Sequence, residues 1–216
     1  SGILRREAVC VIGNGVVVDP AKFCAEIDEL IGRGLEAGPN RLLVSDRAHL
    51  NLPQHKALDG LREKSRGKDI LGTTLQGIGP CYTDKARRQG LRCHHLRDLA
   101  AFRTLLREAV VQANREIASL GGEQLSPETV EEQVMPTAIR LREYVADTVT
   151  YLHQARESRK HMLLEGAQGA MLDIDFGTYP YLTSSNTTSG GCATGTGLPP
   201  TAGFTAKFFV LVTAFN

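Results

Sequence analysis

Ala8-Val-Cys-Val-Ile-Gly-Asn-Gly-Val-Val-Val-Asp-Pro20 decides the fold class. Its apolar run over residues 8–18 reads as a buried strand interrupted at Gly13-Asn14-Gly15. Asn-Gly is also a favoured pair for a tight hairpin turn, so a hairpin between the two halves stays open. Asp19-Pro20 then starts a helix. A carboxylate at the cap accepts an orphan N–H, and a proline in the first turn gives up a donor that would be unpaired anyway. Phe23, Ile27, Leu30 and Ile31 recur at helical spacing and predict one apolar stripe, ended by Gly32 and Gly34.

Outward from this unit, Arg41-Leu-Leu-Val-Ser45 reads as a second strand, and residues 52–67 as a helix with Pro53 in its opening turn. Alternating β and α elements predict a parallel sheet. Regular periodicity then disappears between residues 70 and 92. Asp98 caps a helix whose Phe102, Leu105, Leu106, Ala109, Ala113 and Ile117 share a face. Ser126-Pro127 opens another helical stretch to about residue 157, bent or broken at Pro136. Strand character returns at residues 161–164. The expected fold is α/β, a mainly parallel central sheet with flanking helices and a largely helical insertion over about 97–157.

The chain has 216 residues, 42% of them hydrophobic, enough for one sizeable core or one domain plus part of another. A net charge of +1 supplies no global pull toward nucleic acid or membrane, so any anion site must be local. The five cysteines (Cys10, Cys24, Cys81, Cys93 and Cys192) are scattered and form no C-x-x-C pair. That favours reduced thiols and a cytoplasmic location over a disulfide frame or zinc site. No apolar run has the length of a membrane span, and no signal peptide is visible.

Two segments carry candidate chemistry. The first runs from Leu163 to Gly191: a short apolar strand opens into Glu165, Gln168, Asp173 and Asp175, then into a hydroxyl- and glycine-rich loop over 183–197. Strand ends of open α/β sheets are where ligands sit. Gln168 both donates and accepts, which suits a purine edge. Thr183, Thr187, Thr188 and the N–H groups around Gly190 and Gly191 suit phosphate oxygens. The adjacent Tyr179-Pro180-Tyr181 argues against a plain solvated linker. Asp173 and Asp175 would share one side of a strand and could face a metal, although loop aspartates more often satisfy backbone N–H groups.

The second segment is Leu71-Gly-Thr-Thr-Leu-Gln-Gly-Ile-Gly-Pro-Cys-Tyr-Thr-Asp-Lys-Ala-Arg-Arg-Gln-Gly-Leu-Arg92. It combines Thr73 and Thr74 with Gly72, Gly77 and Gly79, then Lys85, Arg87, Arg88 and Arg92. Glycines admit close backbone approach to an anion, and an arginine fork can grip phosphate in two places. The plain alternative is a surface loop with scattered positive charge. No G-x-x-x-x-G-K-[ST] loop, G-x-G-x-x-G turn or G-x-S-x-G elbow occurs, so triphosphate cradling of that type and hydrolase triads lack support.

Together these motifs give a chain that closely resembles the adenylosuccinate synthetase family. The resemblance rests on Ile12-Gly-Asn-Gly-Val-Val-Val-Asp-Pro20, on Gly72-Thr-Thr-Leu-Gln-Gly-Ile-Gly-Pro80 with Asp84-Lys-Ala-Arg-Arg88, and on Glu165-Gly-Ala-Gln-Gly169 through Thr183-Ser-Ser-Asn-Thr-Thr-Ser-Gly-Gly191. It implies GTP-dependent ligation of IMP and L-aspartate through a C–N bond, with Mg²⁺ as cofactor. It also implies an IMP site of Thr73, Thr74, Gln168 and Thr183, with Arg88 reaching the IMP phosphate of the neighbouring subunit in a homodimer. Gln76 stands where the family usually carries a basic residue.

The family's W-G-D-E-G-K-G-K loop with its catalytic aspartate, the segment with its catalytic histidine and its later arginine-rich loop do not occur in these residues. The chain is therefore expected to be an internal fragment that contributes no catalytic residue and no metal ligand, and to be inactive by itself. Residues 1–200 are expected to form the partial family domain and 201–216 a divergent tail. A non-catalytic IMP-binding or dimerising module and a phosphoryl-transfer enzyme with a divergent loop are the alternatives. Nucleic acid and membrane are not expected partners.

Overall fold

The computed structural model describes residues 2–188, 190–191 and the strand at 209–213. Its sheet begins with β1 (Ala8–Ile12). After the turn at Gly13–Gly15 the chain enters the short β2 (Val17–Val18) and then α1 (Pro20–Gly32). The helix starts where the sequence predicts, with the Asp19 carboxylate accepting the N–H groups of Ala21 and Lys22 at 3.0 and 3.2 Å. Phe23, Cys24 and Ile27 are buried along α1, each large apolar side chain contributing about 1.5–3 kcal/mol. Ile31, counted in the predicted stripe, lies on the exposed side.

β3 (Leu42–Ser45) pairs in parallel with β1, Cys10 opposite Leu42 and Ile12 opposite Val44. β4 (His49–Leu50) does not join that sheet; it pairs in parallel with β2. The hairpin allowed by Asn14-Gly15 therefore does not form. Tertiary contacts hold the turn instead. Asn14 Oδ1 accepts from Ser45 and Thr148 hydroxyls, and Tyr82 donates to Gly15 O at 3.1 Å.

α2 (Pro53–Ser65) follows, then a loop, then α3 (Ile78–Arg87), a helix within the stretch read as aperiodic. A 3-10 turn at Cys93–Arg97 leads into α4 (Leu99–Ser119) and α5 (Pro127–Arg142). α5 runs unbroken through Pro136 and ends at Arg142. The interruption comes instead at β5 (Val145–Ala146), a two-residue strand that joins β3 in parallel, before α6 (Thr148–Glu157). β6 (Leu163–Glu165) and β7 (Phe209–Thr213) complete a sheet of order β5-β3-β1-β7-β6. β7 runs antiparallel to both neighbours, so the other four strands share one direction.

Alternating strand residues feed two cores. Cys10, Ile12, Leu42 and Val44 face α1, α4 and α5, packing with Phe23, Ile27, Phe102, Leu106, Val134 and Leu141. Val9, Val11 and Leu43 face the other way, onto Leu152 and Ala155 of α6. The α/β class, the mainly parallel sheet and the helical insertion match the expectation. Among the described residues, no helix is long and apolar enough to cross a membrane.

Candidate functional site

β6 ends at Glu165 and the chain turns through Gln168 into a 3-10 turn at Ala170–Leu172. Asp173 follows, with no solvent exposure. Its Oδ1 accepts the N–H groups of Asp175 and Phe176 at 2.9 and 3.2 Å; its Oδ2 accepts those of Thr187 and, at 3.2 Å, Thr188. Burial alone would raise this carboxyl, but the four backbone donors outweigh burial and hold it below the ordinary aspartate value. Asp175 accepts from the Asn186 side chain. Both aspartates thus fold the loop rather than present a metal site.

The rest of the loop is pinned around the same carboxylate. Thr183 N–H donates to Leu172 O at 3.0 Å, and Ile174 N–H to Ser185 O at 3.1 Å. The Thr187 hydroxyl donates to Gly169 O at 2.9 Å, beside Gln168. The hydroxyls of Thr183 and Ser185 share a hydrogen bond of 3.3 Å. Gly177 is required by contact: a Cβ there would lie 2.4 Å from Asp173 O and 2.5 Å from Met171 O.

Residues 72–77 form the second wall. Asp59, buried on α2, accepts the Gly77 N–H at 2.9 Å, and Asn51 Nδ2 donates to Gln76 O at 2.7 Å. Gly77 has φ +77° and begins α3, and a Cβ there would lie 2.7 Å from Lys56 N. His55 Nδ1 accepts the Leu52 N–H at 2.9 Å, which leaves the ring proton on Nε2 to donate to Asp84 Oδ2 at 3.2 Å. That bond ties α2 to α3. Sequence reading missed Asn51, His55 and Asp59, although the helical register already put His55 and Asp59 on one face of α2.

The two walls meet at one point. A Cβ on Gly79, in the first turn of α3, would lie 3.6 Å from Ser184 Oγ. The loop bearing Thr183 therefore abuts the helix that follows Thr73 and Thr74. Thr73 is half-buried, whereas Thr74 and Gln168 are exposed. Arg88 does not join them. It is the exposed left-handed cap at the far end of α3, φ +63°, roughly 15 Å along the helix from Gly77. Lys85 leaves the predicted cationic group as well, donating to Asn14 O at 3.2 Å. Ser189 and residues 192–197 of the predicted hydroxyl- and glycine-rich loop, with Cys192, lie outside the described residues.

The sequence profile of adenylosuccinate synthetase matches residues 1–212. The chain belongs to the adenylosuccinate synthetase family. It is 52% identical over 200 residues to the adenylosuccinate synthetase of Clostridium perfringens, covering 93% of this chain and 47% of that protein. The enzyme of Acetivibrio thermocellus is 48% identical over 201 residues, with 93% and 47% covered. The solved structure of fully ligated adenylosuccinate synthetase from Plasmodium falciparum superposes with a TM-score of 0.82 at 34% identity, covering 92% of this chain and 46% of that one. The chain thus spans about half the length of the curated relatives it matches.

Within an adenylosuccinate synthetase, magnesium is the cofactor that the resemblance implies. Among the described residues no group of three or more His, Cys, Asp or Glu side chains is placed to hold a metal ion. The carboxylates nearest the site, Asp173 and Asp175, are engaged by N–H donors. The described residues do not fit the ion.

Proposed function

We propose that this chain supplies the IMP-phosphate cradle of a GTP-dependent ligase that joins IMP to L-aspartate, forming the C–N bond of adenylosuccinate in purine biosynthesis. The reading is carried by one juxtaposition, Ser184 of the hydroxyl loop against Gly79 at the start of α3. It brings the Thr183 loop beside the segment that follows Thr73 and Thr74, on a chain of this family.

Thr73, Thr74 and Thr183 offer their hydroxyls to the 5′-phosphate, and the N-terminal end of α3 adds its positive dipole end. Gln168 reads the purine near its 6-oxygen by accepting and donating at once. Arg88, exposed and remote from the other four, reaches the IMP phosphate of the second subunit in a homodimer. Its guanidinium adds a charge-assisted contact there. None of these groups abstracts a proton or carries the GTP. These 216 residues alone therefore bind IMP without turning it over. Residues 1–200 form the partial family domain, and 201–216 a tail that contributes β7. The buried free thiols Cys10, Cys24, Cys81 and Cys93 support a cytoplasmic setting.

Titration calorimetry separates the possibilities. IMP is expected to give saturable heat and GTP none. Heat from GTP without IMP contradicts the assignment and favours a triphosphate site at residues 70–92.

A further inference from the structure

We propose that Glu63 is an internal stand-in for the nucleotide phosphate: its carboxylate fills the anion position of the 72–77 loop until a phosphate monoester displaces it. The proposal rests on the reading of that loop as part of the phosphate cradle.

Glu63 Oε1 accepts the N–H of Gly72 at 2.6 Å and that of Thr73 at 3.4 Å. Gly72 has φ +70°. Two successive N–H groups turned onto one anionic oxygen form a backbone nest, an arrangement suited to phosphate. Here a carboxylate of the same chain occupies it.

The two carboxylates of α2 that touch this loop differ in kind. Asp59 is buried and holds Gly77, where α3 begins, so it belongs to the packed frame. Glu63 comes four residues later and is only half-buried. It sits in the last turn of α2, where unpaired carbonyls disfavour negative charge. Among the described residues no lysine or arginine pairs with it. The loop N–H pair is what compensates its charge. Glu63 is therefore a replaceable occupant, and its side chain is long enough to swing into solvent.

A phosphate monoester carries about −1.5 to −2 charge at neutral pH and three acceptor oxygens, so it competes well for these donors. It cannot share the position with a carboxylate, because the two charges repel. Glu63 keeps the nest ordered in the free chain and weakens phosphate binding at the same time.

Glu63→Gln and Glu63→Ala are compared with the parent chain by calorimetry with IMP and with inorganic phosphate. Both variants are expected to bind both ligands roughly three- to tenfold more tightly. Equal or weaker binding overturns the stand-in role and makes Glu63 a support of the loop, as Asp59 is. Without ligand, amide exchange at Gly72 and Thr73 is expected to speed up in Glu63→Gln; unchanged exchange also overturns the proposal. If neither ligand binds any of the proteins, the phosphate-site reading fails and the proposal falls with it, a result distinct from binding without gain.

Discussion

The Asp173 carboxylate accepts the backbone N–H of Thr187, fourteen residues further along, and so closes the loop that carries Thr183. With Asp175, Phe176 and Thr188 it has four donors and no solvent. Asp173→Asn keeps the shape but turns an amide NH₂ toward N–H donors. Removing a buried charged acceptor costs about 2–3 kcal/mol. Thermal unfolding is expected at lower temperature, with IMP affinity reduced at least tenfold; unchanged affinity contradicts the organising role.

Acid should open the same loop. Asp173 is held below the ordinary aspartate value of 3.8, so the folded state binds its proton less readily than the unfolded chain does. Its contribution is complete above that value and disappears as pH falls through the lowered folded one. Protection of the Thr187 and Thr188 amides, relative to their intrinsic exchange rates, is expected to fall only below about pH 4, in the ordinary carboxylate range. In Asp173→Asn that protection is expected to be low at every pH.

Gly177→Ala tests the packing beneath the loop. The added methyl would lie 2.4 Å from Asp173 O, a backbone atom that cannot rotate away. Overpacking of this kind costs about 1–3 kcal/mol. A lowered melting temperature is expected; an unchanged one contradicts close packing of Gly177 against the Asp173 carbonyl.

Arg88→Ala tests the second subunit. Arg88 stands at the end of α3 opposite the Thr73–Thr74 loop. The substitution is expected to weaken IMP binding several-fold at concentrations where the chain is dimeric, with no effect on the monomer. Sedimentation beside calorimetry checks this. Equal weakening in both states contradicts the shared site.

Much of the frame is readable without coordinates because local and tertiary preferences agree there. Asp19-Pro20 and Asp98 both start helices, since each supplies the acceptor that the first turn lacks. The face of α4 is legible through Phe102, Leu106 and Ile117, although Val110 and Asn114 share it too. Where tertiary contacts override local signals, the sequence misleads. Asn14-Gly15 looks like a hairpin, yet Ser45, Thr148 and Tyr82 hold it open. α3 is hidden because it begins on a left-handed glycine and carries few apolar residues. Val145–Ala146 is too short to show a period, and only pairing with β3 makes it a strand. Pro136 suggested a break, but the helix runs through it. In the candidate site, Thr73, Thr74 and Thr183 are visible as motif residues. Asp59 and Asn51 are not, because gripping a loop far along the chain leaves no local pattern.

Amide exchange across the whole chain, with and without IMP, bears most directly on the idea that one nucleotide bridges two separate loops. Simultaneous protection of residues 72–77 and 168–188 by IMP, with none from GTP, is the expected result. Protection confined to one of the two stretches, or its appearance with GTP alone, contradicts it.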